Sequence, residues 1–462
     1  MPSTGTEPAG LLPSERRAAL ALASLYALRM LGLFLILPVF QLYADGLIGA
    51  TPLLAGLAIG AYGLSQALLQ IPFGLLSDRY GRKPVIIVGL LIFAAGSVLA
   101  ASAEHILWVI AGRALQGAGA IAAALVALAA DLSRDEQRTK VMAIIGVSIG
   151  LSFALALVLG PLLNARIGVP GIFWLTAVLA LLGIAIVVLA VPQPTRRSAA
   201  RDTLALPGQF HRVLHDGQLL RLDAGIFALH LVLTATFVAL PLALRDSIGL
   251  SADDHWMLYL PVLALSLGFM VPGIILAERR GRPKPALLAA VVALIASELS
   301  LLQWHDSLLA VALALTVFFT SVNLLEALLP SLVSRLAPAD AKGTALGVYS
   351  SSQFLGAFCG GVLGGWTHGV YGLGGAFAIA ALVALLWLAL AAGMRNPPRL
   401  SSRLLHIGRI GTTDAARVAA QLEQIPGVAE AVVIADEGIA YLKIDRHRLD
   451  PAALQAFAAA QH

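Results

Sequence analysis

Runs of about twenty apolar residues recur along most of this chain, and they restrict its fold more than any other feature. AGLAIGAYGLSQALLQIPFG, residues 55–74, is one, and VIIVGLLIFAAGSVLAA, residues 85–101, follows after a short charged loop. As helix, such a run crosses about 30 Å of hydrocarbon. Only 12% of the residues are charged, whereas soluble domains carry about 25%. A soluble fold would need one buried helix after another with almost no solvent face. The chain therefore reads as an all-α polytopic membrane protein.

Twelve spans are expected, six on either side of a polar stretch. The first six are Ala19–Tyr43, Pro52–Gly74, Pro84–Ala101, Ile106–Ala130, Val141–Leu163 and Gly171–Val191. The second six are Arg221–Leu244, Trp256–Ala277, Pro285–Leu302, Leu308–Leu332, Ala345–Trp366 and Tyr371–Ala392. This gives an N-terminal six-helix half with its tail (1–191), a linker (192–220) that includes a short surface helix, and a C-terminal half (221–396). Basic residues collect in alternate loops: Arg79, Arg82 and Lys83, then Arg134, Arg138 and Lys140, then the linker, then Arg279, Arg280, Arg282 and Lys284. The opposite loops hold only Arg166 and Arg245, among acids such as Asp45, Glu104 and Asp253. That asymmetry predicts cytoplasmic termini and linker in a bacterial inner membrane. The N-terminus lacks a signal peptide's order of regions. The net charge of +5 is topogenic and gives no reason to expect nucleic acid.

The loop GLLSDRYGRKP, Gly74–Pro84, has a degenerate copy, ILAERRGRPKP, at Ile275–Pro285. Gly81 corresponds to Gly281, Asp78 to Glu278 and Pro72 to Pro272. FLILPVF around Pro38 likewise resembles FVALPLA around Pro241. Repeats of this kind mark a duplicated membrane protein. In the loop, Gly74 allows close helix approach, Asp78 suits a neighbouring helix N-terminus, Gly81 permits the turn, and Arg79, Arg82 and Lys83 can meet acids or lipid phosphates. A purely topogenic loop explains the charge but not the layout.

Ionisable residues inside spans are costly in lipid, so they should face the bundle interior. Arg29 and Arg113 are such residues, each either functional or a structural partner. His230 suits a local hydrogen bond or a proton carrier. Asn323 and Glu326 share a helix face, and Glu326 is the leading protonatable candidate. Asp223 reads as a solvated end residue and Glu298 as an exposed edge. Tyr62, Gln66 and Gln70 repeat every four residues on one face, lining a cavity or packing helices.

The Gly74–Pro84 motif resembles the loop between the second and third helices of the major facilitator superfamily. GRALQGAGA from Gly112 resembles that family's fourth-helix motif, and Asp131 the acid that closes it. Gly146, Gly150 and Gly160-Pro161 partly resemble the exporter motif of span five, although Leu162, Leu163 and Asn164 depart from it. The resemblance spans about residues 16–396 and is to drug:proton-antiporter-like members. It implies that Asp78 meets the start of span eleven near Ala345, that Arg82 pairs with Asp131, and that Arg113 takes part in proton coupling. Gly74, Asp78, Arg79, Gly81, Arg82 and Asp131 would then form a conformational latch.

From Leu404 the text becomes mixed and charged, and reads strand, helix, strand, strand, helix. Pro426-Gly427 ends the first helix, and Asp436-Glu437-Gly438 makes a turn. The order suits a ferredoxin-like α+β cytoplasmic domain over 404–462 that lacks its last strand. It has no Cys-x-x-Cys pair, and His406 and His447 make no convincing metal site. The lone Cys359 excludes an internal disulfide. No phosphate-binding Gly-x(4)-Gly-Lys-Ser/Thr loop and no nucleophile–base constellation appear, so neither an enzyme nor a cofactor is expected. The expected function is secondary transport by alternating access, led by proton-coupled export of a small amphipathic or polar compound. Sugar or metabolite import or uniport, and a transceptor signalling through the tail, are the alternatives. Membrane lipids, a small-molecule substrate and protons are the expected partners of a functional monomer.

Overall fold

A computed structural model describes residues 10–193, 207–279, 283–338, 341–396 and 400–461, apart from 409, 412, 436, 437, 446 and 447. The centre of the second loop copy, with Arg280, Gly281 and Arg282, lies outside the described residues. So do Arg196, Arg197 and Arg201 of the linker, Asp436, Glu437 and His447 of the tail, and the first nine residues.

The membrane part opens with α1 (Pro13–Phe34), the short α2 (Phe40–Ala44), α3 (Pro52–Tyr80), α4 (Arg82–Ala101), α5 (Ile106–Ala118), α6 (Ala122–Asp131) and α7 (Asp135–Leu189). It continues through α8 (Pro207–His215), α9 (Gly217–Leu242), α10 (His255–Arg279), α11 (Pro283–Trp304), α12 (Leu308–Leu336), α13 (Lys342–Tyr371) and α14 (Leu373–Ala392). Ten helices are long and apolar enough to cross a membrane, one of them covering Lys140–Leu189. That one is two helices joined at Gly168, whose φ of 66° and ψ of 174° break the helix. Glycine has no Cβ to oppose this conformation. The 30-residue α13 is not among the ten, because its many glycines and polar residues dilute its hydropathy.

Several boundaries differ from expectation. The first span stops at Phe34 and resumes at Phe40, because Pro38 has no N–H to continue the helix. The fourth is split between α5 and α6 by Gly119–Ile121. α9 begins at Gly217 rather than Arg221, capped by Asp216, whose carboxylate accepts from the Gln218 and Leu219 amides. α8 is not simply a surface helix: its buried Gln209 accepts a 3.0 Å hydrogen bond from Thr344 at the start of α13.

Glycine sets how closely α13 packs. A Cβ at Gly356 or Gly360 would strike the α9 backbone at Phe227 or Leu231, and one at Gly361 or Gly365 would strike α3 at Gly56 or Pro52. Two small-residue stripes thus wedge α13 between two partners. The α3–α13 contact runs antiparallel, from Gly56 beside Gly361 to Gln70, whose Nε2 donates to the Gly347 carbonyl at 3.4 Å.

The duplication survives in three dimensions. Lys83 donates to the Val191 carbonyl at 2.6 Å, and Lys284 to the Ala392 carbonyl at 2.8 Å, each across 108 residues. Each ammonium closes the free C-terminal end of a long helix, where partial negative charge collects.

The tail begins with β1 (Leu400–His406), four residues earlier than read from sequence, and continues with α15 (Ala415–Glu423), β2 (Val428–Ile434), β3 (Ile439–Asp445) and α16 (Pro451–Gln461). Its sheet is antiparallel with order β1-β3-β2, over a small core of Ile407, Val418, Leu422, Leu442 and Leu454. Lys443 of β3 pairs with Glu430 at 3.1 Å and reaches the Leu336 carbonyl at the end of α12 at 3.3 Å.

Candidate functional site

Two polar clusters face one another inside the bundle. In the first, Arg29 of α1 is buried, and its Nη2 donates to Tyr62 Oη and to Gln66 Oε1 of α3, both at 2.7 Å. Tyr62 Oη also donates to Gln66 Oε1 at 3.2 Å. The four-residue spacing of Tyr62 and Gln66 places both on the face that meets α1. Arg113 of α5 lies over the Tyr62 ring, 5.3 Å from its centroid. Its Nη1 donates to Gln116 Oε1 at 2.7 Å, and Gln116 donates to Ser97 of α4 at 2.7 Å. Among the described residues no carboxylate pairs with Arg29 or Arg113. Tyr62, Gln66 and Gln70 are enclosed in this conformation, at 3%, 0% and 3% exposure.

In the second cluster His230 of α9 stands at the centre. Its Nε2 lies 3.2 Å from Glu326 Oε1 of α12 and 2.8 Å from Gln353 Nε2 of α13. The Glu326 side chain keeps 36% of its surface exposed halfway along a helix whose neighbours Leu325 and Leu328 are buried. It is thus the acid that accessible interior space reaches. Asn323, one turn earlier, is half-buried and makes no polar contact among the described residues. Phe354 of α13 packs edge-on against Tyr62, centroids 6.1 Å apart, and so joins the two clusters.

Two acids sit differently from expectation. Glu298 is fully buried, and its Oε1 accepts from Thr236 of α9 at 2.8 Å. The reason is periodicity: Leu287, Val291, Leu294, Glu298 and Leu301 form the buried stripe of α11. α11 is apolar on every side, so its sequence does not single out that stripe. Asp223 is also buried, 6% exposed, with Oδ2 lacking a partner, because α9 begins a turn earlier than expected and carries it inward.

At the basic-loop end, Arg82 bridges α3 and α6. It pairs with Asp78 one turn back, with Asp131 Oδ2 at 3.2 Å, and with Ser77 Oγ at 2.7 Å. Gly81, at φ 98°, makes the turn that aims it. Gly74 lies against Ala123 of α6. Asp78 makes no polar contact with α13 among the described residues; its partner is Arg82, because that guanidinium is one helical turn away. Arg79 lies over Tyr80 instead of an acid.

At the opposite end, Arg245 Nη2 reaches Asp45 Oδ2 at 3.1 Å, joining the two repeats, and Arg245 Nε holds Asp246 at 2.5 Å. α7 packs against the second repeat through Phe153, Ala154, Leu157 and Val158. Nearer the basic loops, Val147 and Leu151 of α7 and Phe269 of α10 are exposed, and a Cβ at Gly146, Gly150 or Gly268 would meet nothing within 4 Å. Cross-repeat packing of α7 thus gathers at the Asp45–Arg245 end.

Comparison with known proteins gives a consistent family. A family model described as the Major Facilitator Superfamily matches residues 22–215 and 222–411. The chain is 45% identical over 436 residues to the Inner membrane transport protein YajR of Escherichia coli K12, covering 94% of this chain and 95% of that one. It is 27% identical to the Multidrug resistance protein MdtH of Aeromonas hydrophila, covering 76% of this chain and 86% of the relative. The crystal structure of the human organic anion transporter MFSD10 superposes with a TM-score of 0.63 at 20% identity, over 82% of this chain and all of that one, a likeness of fold.

Proposed function

The chain belongs to the major facilitator superfamily of secondary transporters, and from that membership we propose that it exports a small amphipathic or polar compound in exchange for protons. Twelve crossings in two six-helix halves, 1–191 and 221–396, would enclose one central site, with both termini and the linker in the cytoplasm of a bacterial cell. The observation that carries proton coupling is the Glu326–His230–Gln353 contact. It joins α12, α9 and α13 around an acid that interior space reaches. A proton on Glu326 would change its attraction to His230, and so the relative cost of the two cavity orientations. Gathering of α7's cross-repeat contacts at the Asp45–Arg245 end supports reading this conformation as open toward the basic loops. The Arg82–Asp78–Asp131 contacts are read as the latch at that mouth.

The test is flux in proteoliposomes under an imposed pH gradient. With Glu326→Gln (E326Q), counterflow of substrate persists but gradient-driven flux is lost. Unchanged coupling in that variant rejects Glu326 as the obligatory proton carrier. Export is favoured over import or uniport by the glycines of α7 and by the likeness to a multidrug resistance protein.

The order β1-β3-β2 is what a ferredoxin-like unit leaves when its final strand is missing, which supports that reading of the tail. The Lys443 contact with the end of α12 supports a regulatory role, since α12 carries Glu326. A functional monomer is retained.

A further inference from the structure

The Arg29 cluster contains three hydrogen-bond donors without partners: Arg29 Nε, Arg29 Nη1 and Gln66 Nε2. All three are buried, on residues 3% and 0% exposed. Gln66 Oε1 already takes two hydrogen bonds, and the unpartnered acceptor Gln70 Oε1 lies one turn further along α3. The Gln66 amide cannot be turned over to change this, because its NH2 would then face the Arg29 guanidinium. A second guanidinium, Arg113, lies over the Tyr62 ring. Well inside the spans, α1–α7 hold these two cations and no acid, whereas α9–α12 hold Glu298 and Glu326 and neither lysine nor arginine.

A buried guanidinium with no counter-charge is costly, and the penalty is relieved when an anion with free lone pairs enters. Unpaired donors select acceptors, and a guanidinium favours carboxylate oxygens above neutral ones. Tyr62, which closes one side, stacks edge-on with Phe354 of the other repeat, so an apolar body on the anion would lie between the repeats. We propose that the transported compound is an organic anion, whose carboxylate-like head binds Arg29 and Gln66 and whose aromatic or aliphatic body packs at Tyr62 and Phe354. This rests on the transport reading and names the substrate class of the same site.

The test measures melting temperature and equilibrium binding of the purified full-length protein with benzoate and naphthoate, against the matched neutral amides benzamide and naphthamide. The carboxylates are expected to stabilise the protein and the amides to do so far less. Arg29→Gln should weaken carboxylate binding by roughly tenfold or more, as for loss of a charge-assisted hydrogen bond, and Arg29→Lys should retain part of it. Gln66→Glu supplies an internal carboxylate to Arg29, so a folded variant that no longer prefers carboxylates also supports the proposal. No carboxylate bettering its amide, or a preference surviving in Arg29→Gln or Gln66→Glu, overturns it. Gradient-driven flux without carboxylate preference sinks this inference and leaves the transport reading standing. Carboxylate binding without coupled flux does the reverse.

Discussion

Replacing Arg82 should do more damage than replacing either of its acids. Arg82 is 10% exposed, Asp131 6% and Asp78 19%, so water screens this group little. Arg82→Met (R82M) removes the only cation that the described structure places against the two carboxylates and leaves both facing one another. Breaking a buried ion pair by removing one partner costs about 3–5 kcal/mol, and the partial exposure of Asp78 places the expected loss near about 3 kcal/mol. Asp131→Asn (D131N) leaves Arg82 bound to Asp78 and Ser77, so it forfeits one charge-assisted hydrogen bond, about 1.5 kcal/mol. The combined variant R82M/D78N/D131N carries no stranded charge and should recover much of the loss. Reversible unfolding of the purified protein in mixed micelles measures all three. If R82M costs no more than D131N, or if the combined variant is as unstable as R82M, the guanidinium is not what holds α3 and α6 together here.

Three further expectations concern the Asp45–Arg245 end and the tail. Cysteines replacing Asp45 and Arg245 should be joined by a short bifunctional thiol reagent, stopping flux until reduction; cross-linked protein with unaltered flux refutes a gate at that end. Because that ion pair is 39% and 54% exposed, Asp45→Asn should change stability by less than about 1 kcal/mol. Lys443→Met breaks the tail's contact with Leu336 and should alter flux while leaving the melting temperature of the membrane part nearly unchanged; flux equal to that of the parent removes the regulatory role.

Some of this molecule was open to reading from residue order. The apolar runs, the basic loops and the repeated GLLSDRYGRKP motif are local in sequence, and Lys83 and Lys284 show that the repeat is also a repeat of contacts. Arg29, Arg113, His230 and Glu326 could be singled out because an ionisable group amid apolar neighbours is conspicuous. Their partners could not. Arg29 finds Tyr62 and Gln66, and His230 finds Glu326 and Gln353, over separations that no local pattern spans. Glu298 is covered although an all-round apolar helix does not show which side faces inward, and Asp223 is covered because α9 begins a turn earlier than expected.

The sequence by itself determined that this chain lives in a membrane, that it is duplicated, and which loops carry the positive charge, because each depends on transfer of short segments between water and hydrocarbon. Only the tertiary structure decided that α1–α7 leave donors unpaired beside Arg29 while Glu326 of α12 and Gln353 of α13 meet at His230. It alone decided that the cross-repeat contacts of α7 lie toward Asp45 and Arg245. Hydrogen-bond satisfaction and close approach depend on which helix faces meet, and glycines such as Gly361 permit an approach whose partner only the assembled bundle supplies.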